Sequence, residues 1–91
     1  MKLYYVKTTY ISNAERYANK LIFLAEQIEY KSIFEKGTKT DLQKAEKYRK
    51  SYQNILELLY RVKAQADGYI CKANWNDLQK LKEINLYIES R

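Results

Sequence analysis

The sequence predicts an all-α protein in which two long antiparallel helices form a hairpin and a shorter third helix completes a three-helix bundle. Three observations support this prediction. The chain has no proline and only two glycines, its apolar residues recur at spacings of three and four, and each glycine follows such a segment. With 91 residues, the chain is predicted to form one helical domain, 1–91.

The first helix is predicted over residues 12–36. Ser12 and Glu15 match the capping box S-x-x-E, a pair whose side chains satisfy the first backbone N–H groups of a helix. Lys36 and Gly37 match a last helical turn followed by a left-handed C-cap, so the helix is predicted to end there. Between these ends the apolar residues have helical spacing: Ala14, Tyr17, Ala18, Leu21, Leu24, Ala25 and Ile28.

The second helix is predicted over residues 41–67. Thr40 and Gln43 have the spacing of a capping box, and Gly68 is in the position of a C-terminal cap. Because only residues 37–40 connect the two long helices, these helices are predicted to pack antiparallel. The second helix has its own apolar stripe, which comprises Ala45, Tyr48, Tyr52, Ile55, Leu59, Val62 and Ala66.

A shorter third helix is predicted over residues 75–90, with Asn74 or Asn76 as its N-cap. Its apolar stripe contains one polar residue, Asn85. A polar residue in such a stripe either specifies the packing register or the oligomeric state, or lies at the rim of the contact. The apolar members of the stripe are Leu78, Leu81, Ile84 and Ile88.

Two segments outside these helices have compositions typical of β-strands. Residues 2–10 are rich in Tyr, Val and Thr, and residues 69–71 are Tyr-Ile-Cys. Either the two segments pair as a two-stranded ribbon, or residues 2–10 extend the first helix towards the N-terminus. We favour extended structure for residues 2–10.

The composition argues against catalysis. The chain has no histidine, which is the most common general base and metal ligand. Its single cysteine, Cys71, excludes an intramolecular disulfide and has no recognisable base beside it. The carboxylates are scattered along the helices, mostly near basic residues, as in surface ion pairs. We therefore expect no enzymatic activity, no metal site and no cofactor.

The composition is also typical of a cytoplasmic protein. For a viral protein, the compartment would be the host cytoplasm. The longest apolar run, residues 21–25, is far shorter than the roughly 20 residues that span a bilayer, so no membrane association is expected. The richness in Lys, Ile, Asn and Tyr is consistent with an AT-rich coding sequence, as found in low-GC bacteria, their viruses and their mobile elements.

Positive charge is concentrated on the second helix. The net charge is +6, and residues 36–63 contain eight basic and three acidic residues. Opposite the apolar stripe, basic residues form a ridge suited to phosphates or to an acidic partner, with a tyrosine beside it for base stacking. Glu46 and Glu57 flank the ridge and would repel phosphate, so a solvated face is the alternative. The candidate binding residues are Lys47, Lys50, Arg61 and Tyr60.

The first helix has a second apolar face. Phe23, Tyr30 and Phe34 lie roughly opposite its main stripe. A helix that is apolar on two sides is normally covered on two sides. Either the third helix covers this second face, or the face stays exposed and binds another protein or a second copy of the chain in a homodimer.

These observations predict a small non-enzymatic protein that acts by binding a macromolecule. The leading hypothesis is an inhibitor or regulator, encoded by a virus or a mobile element, that binds a host protein or nucleoprotein. It would use the second face of the first helix or the ridge of the second. The alternative is a basic nucleic-acid-binding accessory protein that contacts the phosphate backbone. By fold-level analogy alone, a role like that of the bacteriocin immunity proteins is a third hypothesis.

Overall fold

A computed structural model describes residues 2–34 and 39–90 of the chain. Within these residues the elements are, in order, β1 (Tyr4–Val6), α1 (Thr8–Phe34), α2 (Lys39–Ala64), β2 (Cys71–Ala73) and α3 (Trp75–Glu89). The structure confirms the predicted class: two long packed helices, a shorter third helix and a short strand pair that includes the N-terminal segment.

Small side chains line the contact between α1 and α2. Ala14, Ala18 and Ala25 of α1 are buried, as is Ala45 of α2. Alanine has the highest helix propensity, and its small side chain lets two helix backbones approach closely. Larger apolar side chains complete the core, which includes Val6, Ile11, Leu21, Ile55, Leu58, Leu59, Val62, Leu78 and Leu81.

α3 packs on one side of this hairpin. It contacts the N-terminal half of α1, where the rings of Tyr17 and Tyr87 meet edge to face with centroids 5.3 Å apart. α3 has 15 residues and α1 has 27, so α3 is about 22 Å long beside a helix of about 40 Å. A large part of the hairpin therefore extends past the end of α3.

β1 and β2 form an antiparallel ribbon, as one of the two alternatives predicted. β2 shares only Cys71 with the predicted segment 69–71, because Tyr69 and Ile70 belong to the turn that Gly68 forms. Tyr4 lies opposite Ala73, and Val6 lies opposite Cys71. Val6 and Ala73 are buried and belong to the same core cluster as the helices. The ribbon therefore closes one end of the hydrophobic core.

α1 begins four residues before the predicted start at Ser12. The helix starts at Thr8, and the backbone N–H of Tyr10 donates to the carbonyl oxygen of Lys7 at 3.0 Å. Ile11 is buried in the core, and this burial stabilises the additional helical turn. Ser12 therefore lies within the helix and not at its N-cap, and its side chain is exposed to solvent. Both sequence alternatives for residues 2–10 are thus realised, a strand first and then an extension of the helix.

Gly68 forms a hairpin turn, not the predicted cap of the second helix. α2 ends at Ala64 rather than at residue 67. Gly68 has a φ of +66°. Two backbone hydrogen bonds close the turn: the N–H of Asp67 donates to the Ile70 carbonyl (2.9 Å), and the N–H of Ile70 donates to the Asp67 carbonyl (3.1 Å). A positive φ at the first central residue alone is typical of a type II′ turn, which favours glycine there.

The capping predictions have different outcomes. Asn74 is the N-cap of α3, because its Oδ1 accepts a hydrogen bond from the backbone N–H of Asp77 at 2.8 Å. α3 ends one residue earlier than predicted. α2 begins at Lys39, so Thr40 lies in the first turn of the helix and not at the predicted cap. The C-cap predicted at Lys36–Gly37 lies outside the described residues.

Candidate interaction surfaces

The aromatic face of α1, represented in the structure by the side chains of Phe23 and Tyr30, lies on a side of the helix that α3 does not cover. Phe23 is 58% exposed and Tyr30 is 65% exposed. Phe34 is the last residue of α1, and its side chain lies outside the described part of the structure. Of the two alternatives for this face, exposure is therefore correct for Phe23 and Tyr30.

The placement of α3 explains this exposure. α3 contacts α1 through the pairs Asn13–Asn85 and Tyr17–Tyr87. Tyr17 and Phe23 are six residues apart, so their side chains leave the helix axis about 120° apart. The buried alanines that face α2 occupy a third direction. The aromatic face therefore points towards solvent.

The two exposed rings line a shallow surface depression. Two aromatic side chains lie beside a carboxylate, an amide and an ammonium group, which is the usual anatomy of a protein–protein interface: apolar side chains within a polar rim. The residues that line the depression are Phe23, Glu26, Gln27, Tyr30 and Lys31.

An ion pair interrupts the basic ridge of α2. Arg61 donates from Nε to Oδ2 of Asp77 at 3.1 Å and from Nη2 to Oδ1 at 3.0 Å. The Asp77 side chain is only 5% exposed. The hydrogen bond to Asp77, supported by charge attraction, raises the pKa of Arg61. Arg61 therefore joins α2 to α3, whereas Lys47 and Lys50 are exposed to solvent.

Tyr60 is exposed beside carboxylates. It borders one surface depression together with Glu15 and Lys63, and a second together with Glu57. Nζ of Lys63 lies 3.1 Å from Oε1 of Glu15, so that cation is already compensated. A nucleic-acid base stacked on Tyr60 would bring its phosphate close to the Glu57 carboxylate, which is electrostatically unfavourable.

The partners of Arg61 and Asn85 lie on other helices and were not predicted from the sequence. Asp77 lies in the first turn of α3, where acidic residues are common because of the helix dipole, and it is 16 residues from Arg61. Asn13 lies four residues before Tyr17, so helical spacing places the two residues on one face. That spacing is the signal that could have paired Asn13 with the third helix.

The described residues contain no group of acidic, cysteine or histidine side chains that could hold a metal ion. Cys71 is half-buried in β2. In the described ranges, no helix has the length and apolar character needed to cross a membrane. No protein-family model, no curated protein and no solved structure matches the chain.

Proposed function

We propose that the protein acts by binding another protein through the aromatic face of α1, without catalysis. The exposure of Phe23 and Tyr30 on a long, regular helix carries this proposal. Burial of the exposed part of each ring in an interface would contribute about 1 kcal/mol to the free energy of binding. Anchors on a helix lose little conformational entropy on binding, so most of this gain is available for affinity.

The partner best suited to this face has an apolar groove with polar edges. Aromatic anchors of this kind bind in pockets where water is excluded around them. Glu26 and Lys31 offer one negative and one positive group at the border of the rings, which gives specificity for orientation rather than affinity. An inhibitor or regulator that is encoded by a virus or a mobile element and binds a larger protein would act in this way. Identification of the captured partner tests this role.

The experiment is affinity capture from a lysate of the cells that naturally contain the protein, with wild-type and variant baits. The double variant Phe23→Ser/Tyr30→Ser should lose the captured protein while its circular dichroism spectrum stays helical. Leu42→Ser is the matched control, because Leu42 is a half-exposed apolar residue of α2 outside this face. Capture that survives Phe23→Ser/Tyr30→Ser, or an unfolded double variant, would contradict the proposal.

A nucleic-acid role is the second candidate, favoured by the exposure of Lys47, Lys50 and Tyr60. A nuclease-treated arm of the same capture separates the two candidates, because loss of every partner after treatment supports nucleic acid. Lys47→Glu/Lys50→Glu is the appropriate variant for this candidate. Arg61 should not be included, because its substitution also breaks the contact with Asp77.

A further inference from the structure

The side of the hairpin that holds α3 continues beyond the end of that helix. Tyr17 packs against Tyr87, and Lys20 borders a depression with Ile88, near the C-terminal end of α3. α1 continues for 14 residues beyond Lys20, to Phe34. On α2, Asn54 and Ser51 are the residues furthest towards its N-terminus that line the groove against α3.

We name this uncovered stretch the open channel. On α1, the residues that contact α3 continue at spacings of three and four into Lys20, Leu24, Ile28 and Lys31. On α2, the same spacing leads from Ser51 to Lys47 and Lys44. The channel residues are Lys20, Leu24, Ile28, Lys31, Lys44 and Lys47.

The open channel combines an apolar floor with lysines that have no ion-pair partner among the described residues. Leu24 and Ile28 are half-buried, and the four lysines are exposed. None of the ion pairs among the described residues includes any of these lysines. Because like charges gathered along one groove repel each other, an occupant that supplies carboxylates would relieve this repulsion.

The opposite side of the hairpin is different. There the cations of α2 are paired with carboxylates of α1: Nη2 of Arg49 lies 2.8 Å from Oε1 of Glu29, and Nζ of Lys63 lies 3.1 Å from Oε1 of Glu15. Within the described residues, the lack of an ion-pair partner therefore distinguishes the lysines of the open channel from the cations on the opposite side.

We propose that the open channel binds an acidic amphipathic helix of a partner protein, in line with α3. α3 binds the hairpin by comparable contacts, mainly with α1 and also with Arg61 of α2. α3 inserts Leu78 and Leu81 into the core and presents the Asp77 carboxylate to Arg61 of α2. α1 exceeds α3 by 12 residues, or about 18 Å, which is the length of a helix of about three turns. The occupant needs apolar residues at helical spacing for the floor and flanking Asp or Glu for the lysines.

Two other occupants fit the open channel less well. A second copy of the chain carries the same net charge of +6, and its least basic helix, α3, is already packed on its own hairpin. Nucleic acid would satisfy the lysines but would leave Leu24 and Ile28 facing phosphates and sugars, with no apolar group to cover them. This proposal goes beyond the aromatic face of α1, because its contacts are the apolar floor and the lysines of the open channel, of which only Lys31 also borders that face.

The test is fluorescence anisotropy with the full chain and a labelled synthetic peptide of about 14 residues, which has leucines at helical spacing and glutamates on both flanks. A scrambled peptide of the same composition and a short DNA duplex are the control probes. We expect the ordered peptide to bind at least about tenfold more tightly than the scrambled one, because only the ordered peptide forms an apolar stripe.

Charge reversal provides the matched variants. Lys44→Glu/Lys47→Glu should weaken binding of the ordered peptide at least about tenfold. Lys39→Glu/Lys50→Glu makes the same change of net charge on the same helix outside the open channel, and it should weaken binding much less. All four lysines are exposed, so both variants should keep the helical circular dichroism spectrum of the wild type.

Three results would overturn the proposal. They are equal affinity for ordered and scrambled peptides, equal weakening by the two charge variants, and DNA binding that is as tight as peptide binding. A concentration-dependent dimer that Lys44→Glu/Lys47→Glu abolishes would instead assign the channel to a second copy. Phe23→Ser/Tyr30→Ser should not change peptide binding, so the failure of this proposal and the failure of the aromatic face are distinguishable.

Discussion

Asn13 of α1 donates a hydrogen bond from Nδ2 to Oδ1 of Asn85 on α3, and each of the two residues is only 7% exposed. Two amides inside an otherwise apolar contact satisfy each other only when the helices are in one relative position. A shift of α3 by one turn would leave both amides buried without a partner, which is strongly unfavourable. Of the two roles predicted for Asn85, its burial and hydrogen bond therefore support the specification of register and exclude a rim position.

The Asn13–Asn85 pair predicts a non-additive double-mutant cycle. Asn85→Leu should lower the free energy of unfolding by about 1–3 kcal/mol, because it leaves the Asn13 amide buried and unsatisfied. Asn13→Leu/Asn85→Leu should recover most of this loss, since replacing both polar partners with apolar residues removes the unsatisfied group. Urea unfolding followed by circular dichroism measures both values. Losses that simply add in the double variant would show that the hydrogen bond does not couple the two residues.

A second prediction concerns the turn between α2 and β2. Gly68→Ala should destabilise the fold by about 1–2 kcal/mol, because an L-residue is strained at a φ of +66°. Apart from Gly68 itself and the two adjacent residues, no atom lies within 4 Å of the position that the new Cβ would take, so the loss would come from the backbone conformation. For a domain of this size the melting temperature should fall by about 4–8 °C for each kcal/mol.

The neighbouring residue supplies the control for this turn. Tyr69 is fully exposed and has a negative φ, so Tyr69→Ala should change the free energy of unfolding by no more than about 0.5 kcal/mol. If Gly68→Ala melts at the wild-type temperature, the conformation of the turn in solution differs from the one described here.

The periodicity of apolar residues predicted the helices because it reflects burial directly. The ends were less predictable. Ser12 and Glu15 match a capping box inside α1, and the helix starts earlier because Ile11 joins the core, which is a tertiary effect. Gly68 correctly indicated a positive φ. The same residue is favoured in a helix cap and in a type II′ turn, so its presence could not decide between them.

The candidate surfaces were predictable to different degrees. Spacing on one helix was enough to separate Phe23 and Tyr30 from the main apolar stripe of α1. The contact between Arg61 and Asp77 joins two helices, and its existence depends on where α3 packs. The open channel depends on the same placement, because it exists only where α3 ends before the hairpin does. Features within one element follow from its pattern, whereas features between elements require the assembled fold.

The last prediction compares two arginines of α2. Arg61→Gln should lower the free energy of unfolding by about 1–2 kcal/mol, because it leaves the buried Asp77 carboxylate without its cation. The loss should be smaller than the roughly 3–5 kcal/mol of a fully buried pair, since the Arg61 side chain is 43% exposed and water screens it.

Arg49→Gln is the matched control for this prediction, because it removes the same type of bidentate contact, to Glu29, between two exposed side chains. It should leave the stability unchanged within error. Arg61→Gln/Asp77→Asn should recover part of the loss, because an asparagine amide can be buried at lower cost than a carboxylate. Urea unfolding of the four proteins measures these differences. Equal losses of stability in Arg61→Gln and Arg49→Gln would mean that the Asp77 carboxylate is hydrated in solution. Arg61 would then be free to bind a partner.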